Sequence, residues 1–159
     1  MASENEKLLD EIGRELLRAL QEDARQSFAD LARIVKLSPP AVAERVRRME
    51  DAGIITGYHA EVDAGKIGQP LTVFIHLRTT PDMYPRIIKI ANERPEVLEC
   101  YHVAGGESFI MKMVLATMPH LEDMIKKLSA FGSTSTNIIL SAPVRKHVLD
   151  WASEEIGPH

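Results

Sequence analysis

Three arginines near the end of the first third of the chain have the chemistry to bind nucleic acid. Arg45, Arg47 and Arg48 lie on a segment that begins at Ser38 and contains one acidic residue, Glu44. Guanidinium groups donate paired hydrogen bonds to phosphates and to guanine edges. The predicted contact residues are these arginines and the polar or small residues at the start of their helix: Ser38, Pro40, Ala41, Glu44, Arg45, Arg47 and Arg48.

Charge is distributed unevenly along the chain. The 159 residues have a net charge of −4, which argues against general affinity for nucleic acid. Residues 1–23 contain three basic and seven acidic residues, whereas residues 33–48 contain five basic residues and only Glu44 as an acid. The positive charge is therefore concentrated where contact with DNA is predicted. An arginine-rich helix face that merely faces solvent is the alternative.

Two short helices joined by a tight turn position these arginines. Ser27 is a suitable N-cap for the first, and Leu31, Ile34 and Val35 form an apolar stripe. Lys36 and Leu37 form the turn. Ser38 caps the second helix, Pro39 takes its first position, and Gly53 ends it. This layout predicts a helix-turn-helix, which places its second helix in the major groove of double-stranded DNA.

An additional helix and a wing complete the predicted first domain. Leucine and isoleucine recur at helical spacing from Leu8 to Gln21. Ile54 and Ile55 predict a strand after the arginine-rich helix, and Gly57 predicts a wing turn. Residues 1–62 are therefore interpreted as a winged helix-turn-helix domain, followed by a Gly- and Pro-containing linker at residues 63–70.

The remaining residues, 71–159, predict an α+β domain. Strand-like and helix-like segments alternate in the order βαββαβ, which is the ferredoxin-like arrangement of two helices on one face of an antiparallel sheet. The segments are Leu71–Arg78, Asp82–Glu93, Val97–Ala104, Ser108–Ala116, Pro119–Phe131 and Ser135–Ser141. The strand FIMKMVL is apolar on both faces, so the uncovered face of the sheet is expected to pair with another subunit. Val144, Val148, Leu149 and Trp151 predict a short amphipathic tail helix.

Other function classes are poorly supported by the sequence. A single cysteine, Cys100, excludes a disulfide within the chain and suggests a reducing, cytoplasmic location. No apolar segment is long enough for a membrane span, and the histidines lack the spacing of a metal site. Glu99 and His102 are close in sequence, but a separation of three residues places them on opposite faces of a strand. Neither catalysis nor a cofactor is predicted.

The chain resembles the Lrp/AsnC (leucine-responsive, or feast/famine) regulators. The matching segments are LLDEIGRELLRALQEDAR, LSPPAVAERVRRMEDAGIITGYHAEVD and VLECYHVAGGESFIMKMV. The resemblance implies a DNA-binding transcription regulator that forms homodimers and larger assemblies, tetramers or octamers, and responds to an amino acid. The chain departs from the family where it has Lys36 instead of the usual turn Gly. It also has Gly13 and Ala24 where members usually have Asp and Gly.

The resemblance also implies an effector site between second domains. The matching positions are a glycine loop and a hydroxyl-rich segment: Gly105, Gly106, Glu107, Ser108, Thr134, Ser135, Thr136 and Asn137. Backbone N–H groups would bind the carboxylate of an amino acid, and acceptors would bind its ammonium group. Most members have an acid where this chain has Ser108, so Glu107 is the candidate substitute. A simple hairpin turn followed by an interface strand is the alternative.

Three functions therefore compete. The first is an amino-acid-responsive regulator, and the second is an architectural DNA-binding protein of the same fold with no effector. The third is a metabolite-binding or catalytic ferredoxin-like protein in which the helix-turn-helix only mediates assembly.

Overall fold

The computed structural model describes residues 7–149, which form two compact units. The first consists of residues up to Ala60 together with the tail from Val144, and the second is Glu61–Pro143. The sequence predicted that the tail belongs to the second domain, so this grouping differs from the prediction. The predicted linker falls inside the second unit, where Gly65–Ile67 form one turn of 3₁₀ helix.

The first unit is built on three helices with side-chain caps. They are α1 (Glu11–Glu22), α2 (Phe28–Val35) and α3 (Pro39–Asp51). Ser27 accepts a hydrogen bond from the backbone N–H of Asp30, and Ser38 accepts one from Ala41, as the sequence predicted. α1 starts three residues later than the apolar stripe predicted, because Asp10 caps it by accepting from Gly13 N–H at 2.8 Å.

These helices share one small apolar core. Its buried residues come from all three helices and from the turn before α1: Leu8, Leu16, Leu17, Ala19, Leu20, Leu31, Ala32, Val35, Val42, Val46 and Met49. Because Val42, Val46 and Met49 of α3 are buried in this core, the side chains on the other side of α3 remain exposed to solvent. The core therefore sets the orientation of the predicted DNA-contacting face.

The predicted wing strand is not formed in the described chain. Ile54 and Ile55 instead bend back, and their N–H groups both donate to the carbonyl of Met49. Both side chains pack against the first core. Tyr58 also returns toward α3, since its hydroxyl donates to Glu50 at 2.8 Å. Burial, followed by this hydrogen bond, raises the pKa of Tyr58 to about 12. In residues 54 and 55, backbone hydrogen bonds to the end of α3 thus replace the predicted strand pairing.

The second unit has the predicted βαββαβ order. Its elements are β1 (Leu71–Arg78), α4 (Tyr84–Glu93), β2 (Val97–His102), β3 (Phe109–Leu115), α5 (Met118–Ser129) and β4 (Ser133–Ile138). The strand order in space is β2-β3-β1-β4, with every neighbouring pair antiparallel. This is the ferredoxin-like arrangement. No helix in residues 7–149 is long and apolar enough to cross a bilayer.

Alternation along the strands gives the sheet two different faces. The residues buried under α4 and α5 come from the two central strands: Val73, Ile75, Leu77, Phe109, Met111, Met113 and Leu115. The opposite, open face is lined by half-buried residues from the same strands: Thr72, Phe74, His76, Ile110, Lys112 and Val114. This open face is more polar than the sequence suggested, because Lys112 forms an ion pair with Glu99 at 2.9 Å.

The tail does not form the predicted helix within residues 144–149. It is bound to α1 through Gln21, whose side-chain oxygen accepts from Leu149 N–H at 2.7 Å and whose amide donates to the Leu149 carbonyl at 3.2 Å. The side-chain amide of Gln21 thus pairs with the N–H and the carbonyl of Leu149 as a neighbouring β-strand would, and this pairing favours an extended tail. Trp151, the last residue of the predicted tail helix, lies outside the described residues.

Candidate nucleic-acid interface and effector site

α3 exposes most of the residues that were predicted to contact DNA. Ser38, Pro40, Glu44, Arg47 and Arg48 are solvent-exposed. Ala41 is partly buried beside them. With Val42, Val46 and Met49 buried, the exposed side of α3 presents these residues together. A helix with this surface can enter a major groove with its start toward the bases.

Arg47 forms ion pairs with two acidic residues of its own helix. It donates to both carboxylate oxygens of Glu44, at 2.8 and 3.1 Å, and to Asp51 at 2.7 Å. The hydrogen bond from Arg47 holds the pKa of Glu44 below its ordinary value. These pairs are solvent-exposed and contribute little to stability. A phosphate can therefore replace the acids as the partner of Arg47 at small cost.

Arg45 has a different environment from the other two arginines. Its guanidinium forms two parallel hydrogen bonds with Asp10, both 2.8 Å long, and the side chain is only 28% exposed. Asp10 also caps α1, so this pair joins α3 to the start of α1. The structure thus pairs Arg45 with Asp10 at a partly exposed position, and the DNA contact expected from sequence stays a prediction. Asp10 was missed, although an acid directly before an apolar helical stripe is a typical cap signal.

The Arg45–Asp10 pair is expected to stabilise the first unit by about 0.5–1 kcal/mol after allowance for solvent screening. Asp10→Asn and Arg45→Ala, alone and combined, would give that coupling energy from urea unfolding. The hydrogen bond from Arg45 holds the pKa of Asp10 below its ordinary value. A lowered carboxyl pKa gives stability that is present at neutral pH and is lost as the pH falls through the folded-state pKa. Additive losses in the double variant would contradict the assignment.

Lys36, in the turn before α3, has a left-handed backbone conformation. Its φ is 56° and its ψ is 41°, and it is the sole non-glycine residue with positive φ in the described chain. This conformation costs a side-chain-bearing residue roughly 1–2 kcal/mol relative to a right-handed one. Lys36 is exposed beside the start of α3. The chain therefore keeps a cation at a position where glycine would be less strained.

Lys36→Gly is expected to raise the free energy of unfolding by about 0.5–1 kcal/mol, because relief of strain exceeds the added freedom of the unfolded chain. Lys36→Ala is the matched control, since it removes the same charge and keeps the strain. Both variants should weaken binding to DNA equally if the cation faces a phosphate. Equal stability of the two variants in chemical denaturation would refute strain at this position.

The glycine loop of the second unit lies between β2 and β3. Gly105 has a φ of 140°, a conformation that favours glycine. In residues 7–149 no hydrogen bond uses the N–H groups of Gly105 and Gly106. Arg78, at the end of β1, donates to the carbonyl of Gly106 at 2.5 Å and lies 3.8 Å from the carboxylate of Glu107. Arg78 was not predicted as a site residue, and its only signal in the sequence was its place as the arginine that ends this strand.

Ser108 differs from its neighbours because its hydroxyl is already paired. The residue is 8% exposed, its Oγ donates to the carbonyl of Thr79 at 3.0 Å, and it accepts from Thr79 N–H at 3.1 Å. Its own N–H donates to the carbonyl of Leu77. Ser108 therefore fixes the chain after β1 and has no hydrogen left to donate to a ligand.

The hydroxyl-rich segment of β4 is divided between the two faces of the sheet. Thr134 and Thr136 are half-buried on the helix side, and Thr134 bonds the hydroxyl of Ser129 at 3.1 Å. Ser135 and Asn137 are exposed on the open face, opposite His76 and Phe74 in register. The structure therefore does not bring all eight predicted effector residues to one side of a single subunit.

The start of β4 nevertheless lies beside the loop. Thr134 pairs with Leu77, and Leu77 pairs with Phe109 on its other side. Gly132 is packed so closely that a Cβ there would lie 2.1 Å from the carbonyl oxygen of Arg78. The glycine loop, Arg78 and the first residues of β4 thus share one end of the sheet.

Glu99 and His102 of β2 lie on opposite faces of the sheet, as their spacing in the sequence predicted. Glu99 pairs with Lys112 on the open face, whereas the ring of His102 packs against Tyr84 and Phe109 on the helix face. Among residues 7–149, no three histidine, cysteine or acidic side chains could hold a metal ion together.

Comparison with known proteins gives this arrangement a family. Residues 9–50 match the AsnC-type helix-turn-helix domain, and residues 72–149 match the Lrp/AsnC ligand binding domain. The chain belongs to the Lrp/AsnC family. It is therefore a transcriptional regulator rather than an enzyme, with a DNA-binding domain and a ligand-binding domain.

Individual Lrp/AsnC proteins match nearly the whole chain. The HTH-type transcriptional regulator LrpC of Bacillus subtilis is 35% identical over 133 residues, which cover 84% of this chain and 92% of LrpC. The solved structure of LrpC has a TM-score of 0.82 and covers 87% of this chain and 99% of its own. A feast or famine regulatory protein of Mycobacterium tuberculosis, solved with L-methionine, is 32% identical with a TM-score of 0.80 and covers 89% and 98%.

Proposed function

We propose that this chain is an amino-acid-responsive regulator that reads a palindromic DNA site as a homodimer or a larger assembly in the cytoplasm. The exposed basic side of α3, built on a capped helix-turn-helix, is the observation that supports it most directly. The ligand-binding domain, and the L-methionine complex of the M. tuberculosis relative, support the effector.

DNA is read by the exposed residues of α3. Arg48 and Arg47 contact phosphates or base edges, and the helix start from Ser38 to Ala41 approaches the groove. Arg45 is paired with Asp10, and this pair fixes α3 against the start of α1. A single helix this short gives limited specificity. A dimer supplies two such helices, about 34 Å apart on one side of the duplex, which matches two half-sites.

Dimerisation is assigned to the open face of the sheet. Phe74, Ile110 and Val114 are adjacent across β1 and β3 and are only half-buried within the chain. Lys112 lies among these three residues, opposite Phe74, and its charge is compensated by the ion pair with Glu99, so the face can be buried against another subunit. Pairing of two such faces buries the three apolar residues in both subunits.

Ile110→Glu should convert the assembly to monomers or lower dimer affinity by at least about 100-fold, because an unpaired carboxylate would be buried in the interface. The fold tolerates the change, since the open face is accessible in the single chain. Leu140→Glu is the matched control, at a side chain 95% exposed outside the sheet. Light scattering after size exclusion measures the mass, and an unchanged mass for Ile110→Glu would refute this interface.

The effector is assigned to the end of the sheet that contains the glycine loop. The free N–H groups of Gly105 and Gly106 suit a carboxylate, and the carboxylate of Glu107 suits an ammonium group, as does the hydroxyl of Thr134. Ser108 is left out of direct contact. Ser135 and Asn137, on the open face, can only contribute to a site completed by another subunit. Binding between subunits changes their assembly, and a coupling of about 1–3 kcal/mol alters DNA affinity 5- to 150-fold.

An architectural DNA-binding protein with no effector is the second candidate. The internal hydrogen bonds of Ser108 favour it, because this position lacks the usual acid and its hydroxyl already donates its hydrogen within the chain.

Thermal unfolding of the full chain with each of the twenty amino acids, together with size exclusion, separates the two candidates. A shift in unfolding temperature or in mass for one or a few amino acids supports the responsive regulator. No shift with any of them, alongside intact DNA binding, would leave the architectural role. Failure to bind any duplex at low salt would contradict both candidates and favour the third hypothesis.

A further inference from the structure

The guanidinium of Arg78 is held against the backbone of the glycine loop. Its Nε donates to the carbonyl of Gly106 at 2.5 Å, and its Nη2 would lie 3.4 Å from a Cβ placed on Gly106. The side chain is nevertheless 64% exposed. Within residues 7–149 the other four N–H groups of this guanidinium form no hydrogen bond. Arg78 therefore presents a cation with unused donors directly beside the loop.

Glu107 places the opposite charge next to this guanidinium. Its Oε1 lies 3.8 Å from Nη2 of Arg78, which is close enough for an ion pair and too far for a hydrogen bond. An exposed pair of this kind contributes little to stability, so each partner can be exchanged at small cost. The N–H groups of Gly105 and Gly106, which are unpaired in residues 7–149, belong to the same loop. One end of the sheet thus combines a cation, an anion and two free donors.

We propose that Arg78 binds the carboxylate of the effector while Glu107 binds its ammonium group, so that the site accepts only ligands that have both charges. This inference rests on the proposed amino-acid response and adds a binding residue to it. The ligand carboxylate replaces Glu107 beside Arg78, and the ligand ammonium replaces Arg78 beside Glu107. A guanidinium binds a carboxylate more strongly than neutral N–H groups do, because the hydrogen bonds are charge-assisted.

This exchange of partners selects against close relatives of the amino acid. A 2-oxo acid has no ammonium group and would leave Glu107 without a partner. A carboxamide or a decarboxylated amine has no carboxylate and would leave Arg78 without one. The site therefore distinguishes an amino acid from the products of its deamination or decarboxylation.

Isothermal titration of the full chain tests this selection with three compounds. They are the amino acid that most raises the unfolding temperature in the panel of twenty, its carboxamide and its 2-oxo acid. The carboxamide and the 2-oxo acid should each bind at least about tenfold more weakly, since each lacks one charged hydrogen-bonding group.

Two variants assign each charge to its residue. Arg78→Gln should weaken binding of the amino acid by about tenfold or more and abolish its advantage over the carboxamide, while its advantage over the 2-oxo acid remains. Glu107→Gln should have the reverse effect. Damage to the loop alone would weaken all three compounds in proportion. Gly106 is exposed, so water can replace Arg78 at its carbonyl. Arg86→Gln removes an exposed guanidinium from α4 and should leave all three affinities unchanged.

The outcomes separate this inference from the proposed function. If Arg78→Gln kept the preference for the amino acid over its carboxamide, or lost affinity for all three compounds equally, the contact with the carboxylate would be overturned and the amino-acid response would stand. If none of the twenty amino acids bound the unmodified chain, the amino-acid response itself would be contradicted, and the role of Arg78 with it.

Discussion

Arg48→Ala is expected to weaken binding to cognate DNA by about 5- to 150-fold, the loss of one arginine contact to a base or phosphate. The side chain is exposed in the last turn of α3, on the side away from the buried residues Val46 and Met49. Fluorescence anisotropy with a duplex enriched from a random pool by the unmodified protein measures the effect. Repeating it at several salt concentrations distinguishes two kinds of contact: loss of a phosphate contact lowers the salt dependence of binding, whereas loss of a base contact relaxes sequence preference.

Two variants serve as references for Arg48→Ala. Lys89→Ala removes an equal charge from an exposed helix of the second unit and should bind DNA normally. Arg45→Ala should mainly lower stability, with a smaller effect on DNA affinity, because its guanidinium is paired with Asp10. If Arg45→Ala weakened DNA binding more than Arg48→Ala at equal stability, the assignment of the reading surface would be wrong.

Ser108→Ala is expected to lower the free energy of unfolding of the second unit by about 1–3 kcal/mol, since it leaves both the N–H and the carbonyl of Thr79 without their partner. Chemical denaturation of the full chain, followed by circular dichroism, measures the change. Ser135→Ala is the matched control because its side chain is exposed on β4, and its effect should stay within about 0.5 kcal/mol.

Effector binding by the same two variants tests the role of Ser108 in the site. The amino acid that stabilises the unmodified protein most should still bind Ser108→Ala below its unfolding transition, with affinity reduced by no more than a few-fold. A variant of normal stability that no longer binds the amino acid would show that Ser108 contacts the ligand directly.

Local sequence signals predicted the regular elements well. Ser27 and Ser38 cap helices as expected, because a cap depends on residues within one turn. β1 has the predicted bounds, and the βαββαβ order follows from alternation and turn residues along the chain. The positions of Glu99 and His102 on opposite faces also follow from the strand period alone.

Contacts between distant residues were not accessible in the same way. The pairing of Arg45 with Asp10 joins residues 35 positions apart, and an arginine on a basic helix gives no local sign of which partner it has. Ser108 likewise bonds to Thr79 across the sheet. The predicted wing strand is not formed, because the backbone N–H groups of Ile54 and Ile55 donate to the carbonyl of Met49 at the end of α3. The apolar character of these two residues does not indicate which backbone partner they have.

The hydrogen bonds between Gln21 and Leu149 have a consequence for dissecting this chain into parts. The first unit is discontinuous in sequence, because residues Glu61–Pro143, which form the second unit, are inserted between its helices and its tail. A fragment that stops after residue 60 lacks one of the segments of this unit. A chimaera that exchanges the second unit between regulators therefore needs two junctions, one near Ala60 and one near Val144, so that the original tail stays with its helices.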